Sequence, residues 1–67
     1  MTVTLTFREA ECLRLLAEGE GVKHIAFELG IKPKSVDAYL LRARRKLGAK
    51  TSTHAVAVAM SMGLLKP

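Results

Sequence analysis

A single cysteine, Cys12, excludes an internal disulfide, and its spacing from Leu15 and Leu16 makes it a small apolar side chain of a reducing compartment. No apolar run approaches the roughly 18 residues that a membrane span needs, and no signal peptide precedes the folded pattern. The expectation is a soluble, cytoplasmic protein. Glycine-rich phosphate loops are missing, and His24 and His54 make no nucleophile–base arrangement, so no catalytic residue is expected. No second His, Cys or carboxylate is recognised at a metal-ligand spacing from His24, which predicts neither metal nor cofactor.

Acidic side chains are scarce in one half only. Residues 1–30 carry three basic and five acidic groups, whereas residues 31–67 carry eight basic groups and Asp37 alone. Solvated surfaces intersperse the signs, so a half this one-sided points to a polyanionic partner. Sixty-seven residues make one domain, 1–67, and a chain of this size buries only about 60% of its unfolded surface. Its core is marginal, and dimerisation would help it.

What is present is helical periodicity. Met1 to Thr4 has none and reads as a tether or a cut from a longer chain. Thr6-Phe7-Arg8-Glu9 is a capping box with Leu5 as staple, opening a helix over about 6–18 that buries Cys12, Leu13 and Leu16 and stops at Gly19. Val22, Ile25, Ala26 and Leu29 form the stripe of a second helix, 22–29. Phe27 lies off that stripe, as scattered surface or a partner contact. Gly30-Ile31-Lys32 then breaks the pattern, and Pro33 suits the first turn of a third helix, 33–47. Two amphipathic helices joined by so short a glycine-containing turn describe a helix-turn-helix, whose second helix enters a DNA major groove. On that helix Val36, Leu40, Ala43 and Leu47 face inward. Lys34, Ala38, Leu41 and Arg45 face out, flanked by Asp37 and Arg42. The run Arg42-x-Arg44-Arg45-Lys46 is spread round the helix, so its members cannot all touch one duplex, and some serve the helix dipole. Lys34, Arg42, Arg45 and Lys50 are placed for phosphates.

A polar turn, Lys50 to Thr53, ends in an N-cap at Ser52 or Thr53 and opens a fourth helix over about 53–62. Between Ala55 and Leu65 there is no charged residue. Ala55, Val56, Ala59 and Leu64 pack on the domain, which leaves Ala57, Val58, Ser61 and Met62 as an apolar surface for a symmetric dimer. The fold class is therefore all-α, a four-helix bundle containing a helix-turn-helix.

The ordered set Leu5-Thr6-x-Arg8-Glu9, Leu13-x-Leu15-Leu16-Ala17-Glu18-Gly19, Lys23-x-Ile25-Ala26-x-x-Leu29-Gly30-Ile31, Lys34-Ser35-Val36, Arg45-Lys46-Leu47-Gly48, Thr53-x-Ala55-Val56-Ala57-x-Ala59 and Gly63-Leu64-Leu65 resembles the LuxR-type (GerE-like) helix-turn-helix domain over residues 5–65. The resemblance implies a bacterial transcriptional regulator that binds double-stranded DNA and dimerises through its fourth helix. It extends the DNA-binding set to Lys34, Ser35, Asp37, Ala38, Leu41, Arg42, Arg45, Lys50 and Thr53, with the positions of Asp37, Ala38 and Leu41 aimed at base edges. Those positions are often basic or polar in the family; here an acid and two apolar groups stand there. Asp37 could accept from a cytosine amino group, or simply favour the helix dipole. Gly21 and Lys32 replace the hydroxyl caps usual at the two helix starts, and His24 replaces a usual Glu. The resulting expectation is a sequence-specific homodimer on a two-fold-symmetric site. The alternatives are an interaction module that heterodimerises with a related regulator through helix 53–62, and a sigma-factor promoter-binding region. The second fits the alanine-rich last helix poorly.

Overall fold

The computed structural model describes residues 3–65; Met1 and Thr2, half of the expected tether, lie outside them, and Val3 and Thr4 run in coil. Four α-helices follow in order: α1 (Phe7–Ala17), α2 (Val22–Leu29), α3 (Pro33–Lys46) and α4 (Ser52–Ser61). α1 opens on the expected box, with the Glu9 backbone N–H donating to Thr6 Oγ1 at 3.2 Å and the Thr6 N–H donating to Glu9 Oε1 at 2.9 Å. Two orphan donors are thereby satisfied. α4 begins one residue earlier than expected. Its N-cap is Thr51, whose Oγ1 accepts from the His54 N–H at 3.0 Å, in place of Ser52 or Thr53.

The helices close on glycines. At the end of α3, Gly48 takes φ 66°, which lets the Ala49 N–H reach Arg44 O at 2.9 Å and turns the chain toward α4. At Gly30, φ 67° lets the Ile31 N–H reach Ala26 O at 3.0 Å, which makes the sharp turn between α2 and α3.

α1 and α3 are the central pair. Each packs against all three other helices, whereas α2 and α4 do not touch one another. The core is built from Cys12, Leu13 and Leu15 of α1, Ile25 and Ala26 of α2, and Val36, Leu40 and Ala43 of α3. Ala49, Ala55, Ala59 and Leu65 complete it. Leu16, expected inside, is only half-buried, and Leu15 takes its place. A helix packed on three neighbours needs a wider apolar face than one stripe supplies. α4 buries only alanines, and Leu64 and Leu65 fold back past Gly63 to cover the core beside it.

Candidate nucleic-acid interface

The turn between α2 and α3 is Gly30-Ile31-Lys32. Ile31 is half-buried against the core, and Lys32 caps α3 with Pro33 at its first position. Proline costs nothing there, because the first N–H groups of a helix have no intrahelical acceptor. With Val36, Leu40 and Ala43 inside, Lys34, Asp37, Leu41, Arg42 and Arg45 are exposed on α3, while Ser35 and Ala38 are half-exposed beside them. Leu41 keeps 37% of its surface in solvent. The guanidinium of Arg42 lies over the ring of half-buried Tyr39, 5.8 Å from its centroid, which limits its sweep and holds the charge on the outer flank.

The basic run divides by role. Lys46 turns back to the start of α1, where its Nζ meets Glu9 Oε1 at 2.7 Å and the Thr4 carbonyl at 3.2 Å. Glu9 is only 2% exposed. Burial pushes its carboxyl up, but hydrogen bonds from Lys46 and the Thr6 N–H, with the Lys46 charge, outweigh that and hold it below the ordinary value. Arg44, half-buried, donates from Nη1 to the Lys50 carbonyl at 3.0 Å and so clamps the loop into α4. Arg42 and Arg45 keep their charges outward. Both structural partners were beyond sequence reading: Glu9 is 37 residues from Lys46, and the Arg44 acceptor is a backbone carbonyl.

Among the described residues, every glutamate has a basic or imidazole partner within 4 Å: Glu9–Lys46, Glu11–Arg8, Glu18–Arg14, and Glu20 and Glu28 on His24. None of Lys32, Lys34, Arg42, Arg45 and Lys50 makes an ion pair with a described residue. The charge asymmetry of the sequence thus survives folding as unneutralised cations on α3 and its two flanking turns. At the second turn the Lys50 N–H donates to His54 Nδ1 at 3.3 Å, fixing the backbone that carries the Lys50 ammonium. Thr53 is exposed in the first turn of α4.

Neither Gly21 nor Lys32 makes a side-chain cap, so α2 starts with free backbone N–H groups, whereas at the start of α3 Pro33 has none and the Ser35 N–H donates to the Lys32 carbonyl at 2.9 Å. His24 departs from expectation. Glu20 and Glu28 flank it at four residues on either side, and one ligand atom from each of the three lies within 4.8 Å of the others. Glu20 precedes the helix, so the apolar periodicity of α2 gives no hint that it belongs with this face. Burial, then hydrogen bonding and repulsion from Glu28, push the Glu20 carboxyl above its ordinary value.

The exposed face of α4 is also rotated from the one expected. Ala57, Ser61 and Met62 are exposed, but Val58 is half-buried, and Met60, 41% exposed, stands in its place. The early Thr51 start does not cause this; Ala55 and Ala59 point inward, and Val58 lies beside them on the inner flank. Ala57, Met60 and Ser61, at i, i+3 and i+4, form the outward stripe.

The luxR profile of bacterial regulatory proteins matches residues 3–59. The transcriptional regulatory protein YdfI of Bacillus subtilis is 41% identical over 61 residues, covering 91% of this chain and 29% of that protein. The quorum sensing-dependent transcriptional regulator VjbR of Brucella melitensis is 43% identical over 61 residues, covering 91% of this chain and 24% of that one. The chain therefore spans under a third of these curated relatives. Among solved structures, the transcription factor GerE superposes with a TM-score of 0.88 at 27% identity, covering 98% of this chain and 97% of GerE. Vibrio cholerae VqmA, described as a dimer with a target DNA, superposes at 0.87 with 38% identity, over 94% of this chain and 28% of its own. These are transcriptional regulators, not enzymes. By the profile match, the relatives and the shared four-helix fold, the chain belongs to the luxR family of bacterial regulatory proteins, as a helix-turn-helix domain.

Proposed function

We propose that this domain binds double-stranded DNA sequence-specifically, with α3 in the major groove, and acts as a homodimer joined through α4. The observation that carries the reading is the unneutralised cation set Lys32, Lys34, Arg42, Arg45 and Lys50 around the exposed face of α3, while Glu9, Glu11 and Glu18 of the first half are each paired with a lysine or arginine. Lys34, Arg42, Arg45 and Lys50 contact phosphates, and the free N–H groups at the start of α2 take another. Asp37, Ala38 and Leu41 meet base edges: a carboxylate accepts from cytosine N4, and apolar groups meet thymine methyls. Ser35 and Thr53 add hydroxyls at the rim. That VqmA is a dimer with a target DNA supports DNA binding by a dimer here.

Affinity then comes mainly from counterion release. The test is selection from randomised duplex DNA followed by a salt titration on the winner. An enriched inverted repeat with a steep negative salt slope is expected; binding indifferent to salt overturns the reading. A second reading rests on a specific feature, the absence of any hydrogen-bond donor among the Asp37, Ala38 and Leu41 side chains at pH 7. In that reading the chain pairs with a related regulator through α4 and leaves no footprint on DNA.

A further inference from the structure

Glu20, His24 and Glu28 recur at four-residue spacing, so they stand on one face of α2 and of the turn before it. Two features of this cluster are unusual for a surface triad. His24 Nδ1 lies 3.0 Å from Glu20 Oε1, and His24 Nε2 lies 3.6 Å from Glu28 Oε1, so one imidazole stands between two carboxylates. Glu20 Oε1 is also shut off from solvent and receives no hydrogen bond, despite the nearby ring nitrogen. A buried carboxylate oxygen without a donor is costly, and a second carboxylate beside it adds repulsion. A cation bound by one ring nitrogen and by an oxygen of each carboxylate relieves both.

We propose that Glu20, His24 and Glu28 form a site for one divalent transition-metal ion, with zinc the fitting class. An imidazole nitrogen and two carboxylate oxygens are the donor set that borderline first-row cations take, whereas magnesium and calcium prefer oxygen alone. With metal–ligand bonds of about 2.0–2.2 Å, two ligands of a tetrahedral ion lie roughly 3.4 Å apart. The 4.8 Å cluster therefore closes by up to about 1.4 Å, a movement within reach of the exposed His24 and Glu28 side chains. Three protein ligands leave one position of a tetrahedron for water. The ion ties the turn carrying Glu20 to the last turn of α2, and it offsets two negative charges on that face.

Titration calorimetry with zinc chloride on the tag-free chain tests this. One saturable site per chain is expected, weakened at least ~10-fold by His24→Gln and by Glu20→Gln. His54→Gln, which alters the other histidine, leaves binding unchanged. Zinc raises the melting temperature of the unsubstituted chain but not that of His24→Gln, whose exposed position leaves the metal-free fold intact. Absence of saturable zinc binding, or a site indifferent to His24→Gln, overturns the proposal.

Discussion

Lys46, the last residue of the basic run of α3, turns back toward α1 and places its Nζ 2.7 Å from Oε1 of Glu9, a carboxylate that is 2% exposed at the start of α1. The pair joins the end of α3 to the beginning of the chain. It also removes one cation from the charge available to a partner. Its two halves are unequal, since Lys46 keeps 37% of its side chain in water and Glu9 almost none. Lys46→Met leaves a buried carboxylate without a counter-charge, held only by its hydrogen bonds with Thr6, and is expected to cost about 2–4 kcal/mol at neutral pH; Glu9→Gln strands only a half-solvated ammonium and costs about 1–2 kcal/mol. Chemical denaturation of the two variants gives the order, and equal costs would sink it.

The same pair sets an acid limb. The Glu9 carboxyl in the fold lies below its ordinary value of 4.5, so its contribution is present above about pH 4.5 and is lost as pH falls through the lowered value. In Lys46→Met only the hydrogen bonds from Thr6 oppose burial, so that carboxyl rises relative to the unsubstituted protein and the variant has less stability to lose on acidification. The stability gap between the two proteins therefore narrows below about pH 4.5. Denaturation midpoints across that range check it, and a gap independent of pH excludes Glu9 as the titrating group.

Local devices are legible in this sequence and distant ones are not. Thr6 with Glu9, Gly30 with Pro33, and the stripe Val36-Leu40-Ala43 each declare themselves within a few residues, because capping and helical spacing are short-range physics. Three consecutive hydroxyl residues, Thr51, Ser52 and Thr53, all qualify as caps, and the backbone chooses Thr51. Such choices move a helix start by one residue. Which face of an almost uniformly apolar α4 points outward is weakly encoded for a related reason. Without charges to mark a solvent side, packing on α1 and α3 decides it. The fates of Arg44 and Lys46 depend on partners brought close only by tertiary structure.

Phosphate and base contacts separate in measurement. Arg45→Ala is expected to weaken binding to all duplexes alike and to reduce the magnitude of the salt slope by about 1. Asp37→Ala leaves the slope magnitude no smaller and shifts preference at one base pair by about 1–3 kcal/mol. Lys46→Ala, already committed to Glu9, changes the slope less than Arg45→Ala does. Binding isotherms at several salt concentrations on matched and mismatched duplexes distinguish the three. A larger slope change from Lys46 than from Arg45 would mean that the assignment of the basic run is wrong.

The proposed homodimer would use the α4 stripe Ala57, Met60 and Ser61. Met60→Glu places a charge in that stripe without touching the buried Ala55 and Ala59. The expected outcome in sedimentation is a monomer with unchanged helical content, and a loss of affinity for an inverted repeat but not for a half-site. A dimer that survives both Met60→Glu and Ala57→Glu would have to use another surface.

Lys32 holds two opposed roles at one position. It is the N-cap of α3, with extended backbone at φ −79° and ψ 150°, yet its side chain makes no capping bond. Serine there accepts from the backbone of the first turn, so Lys32→Ser is expected to stabilise the fold by about 1 kcal/mol. The same change removes one of the unneutralised cations flanking α3, and the small hydroxyl restores only part of a phosphate contact. Stability and DNA affinity should therefore move in opposite directions in a single variant. Thermal melts and a binding isotherm on the same preparation measure both. If affinity rises together with stability, the hydroxyl rather than the charge is what a phosphate uses at this helix start.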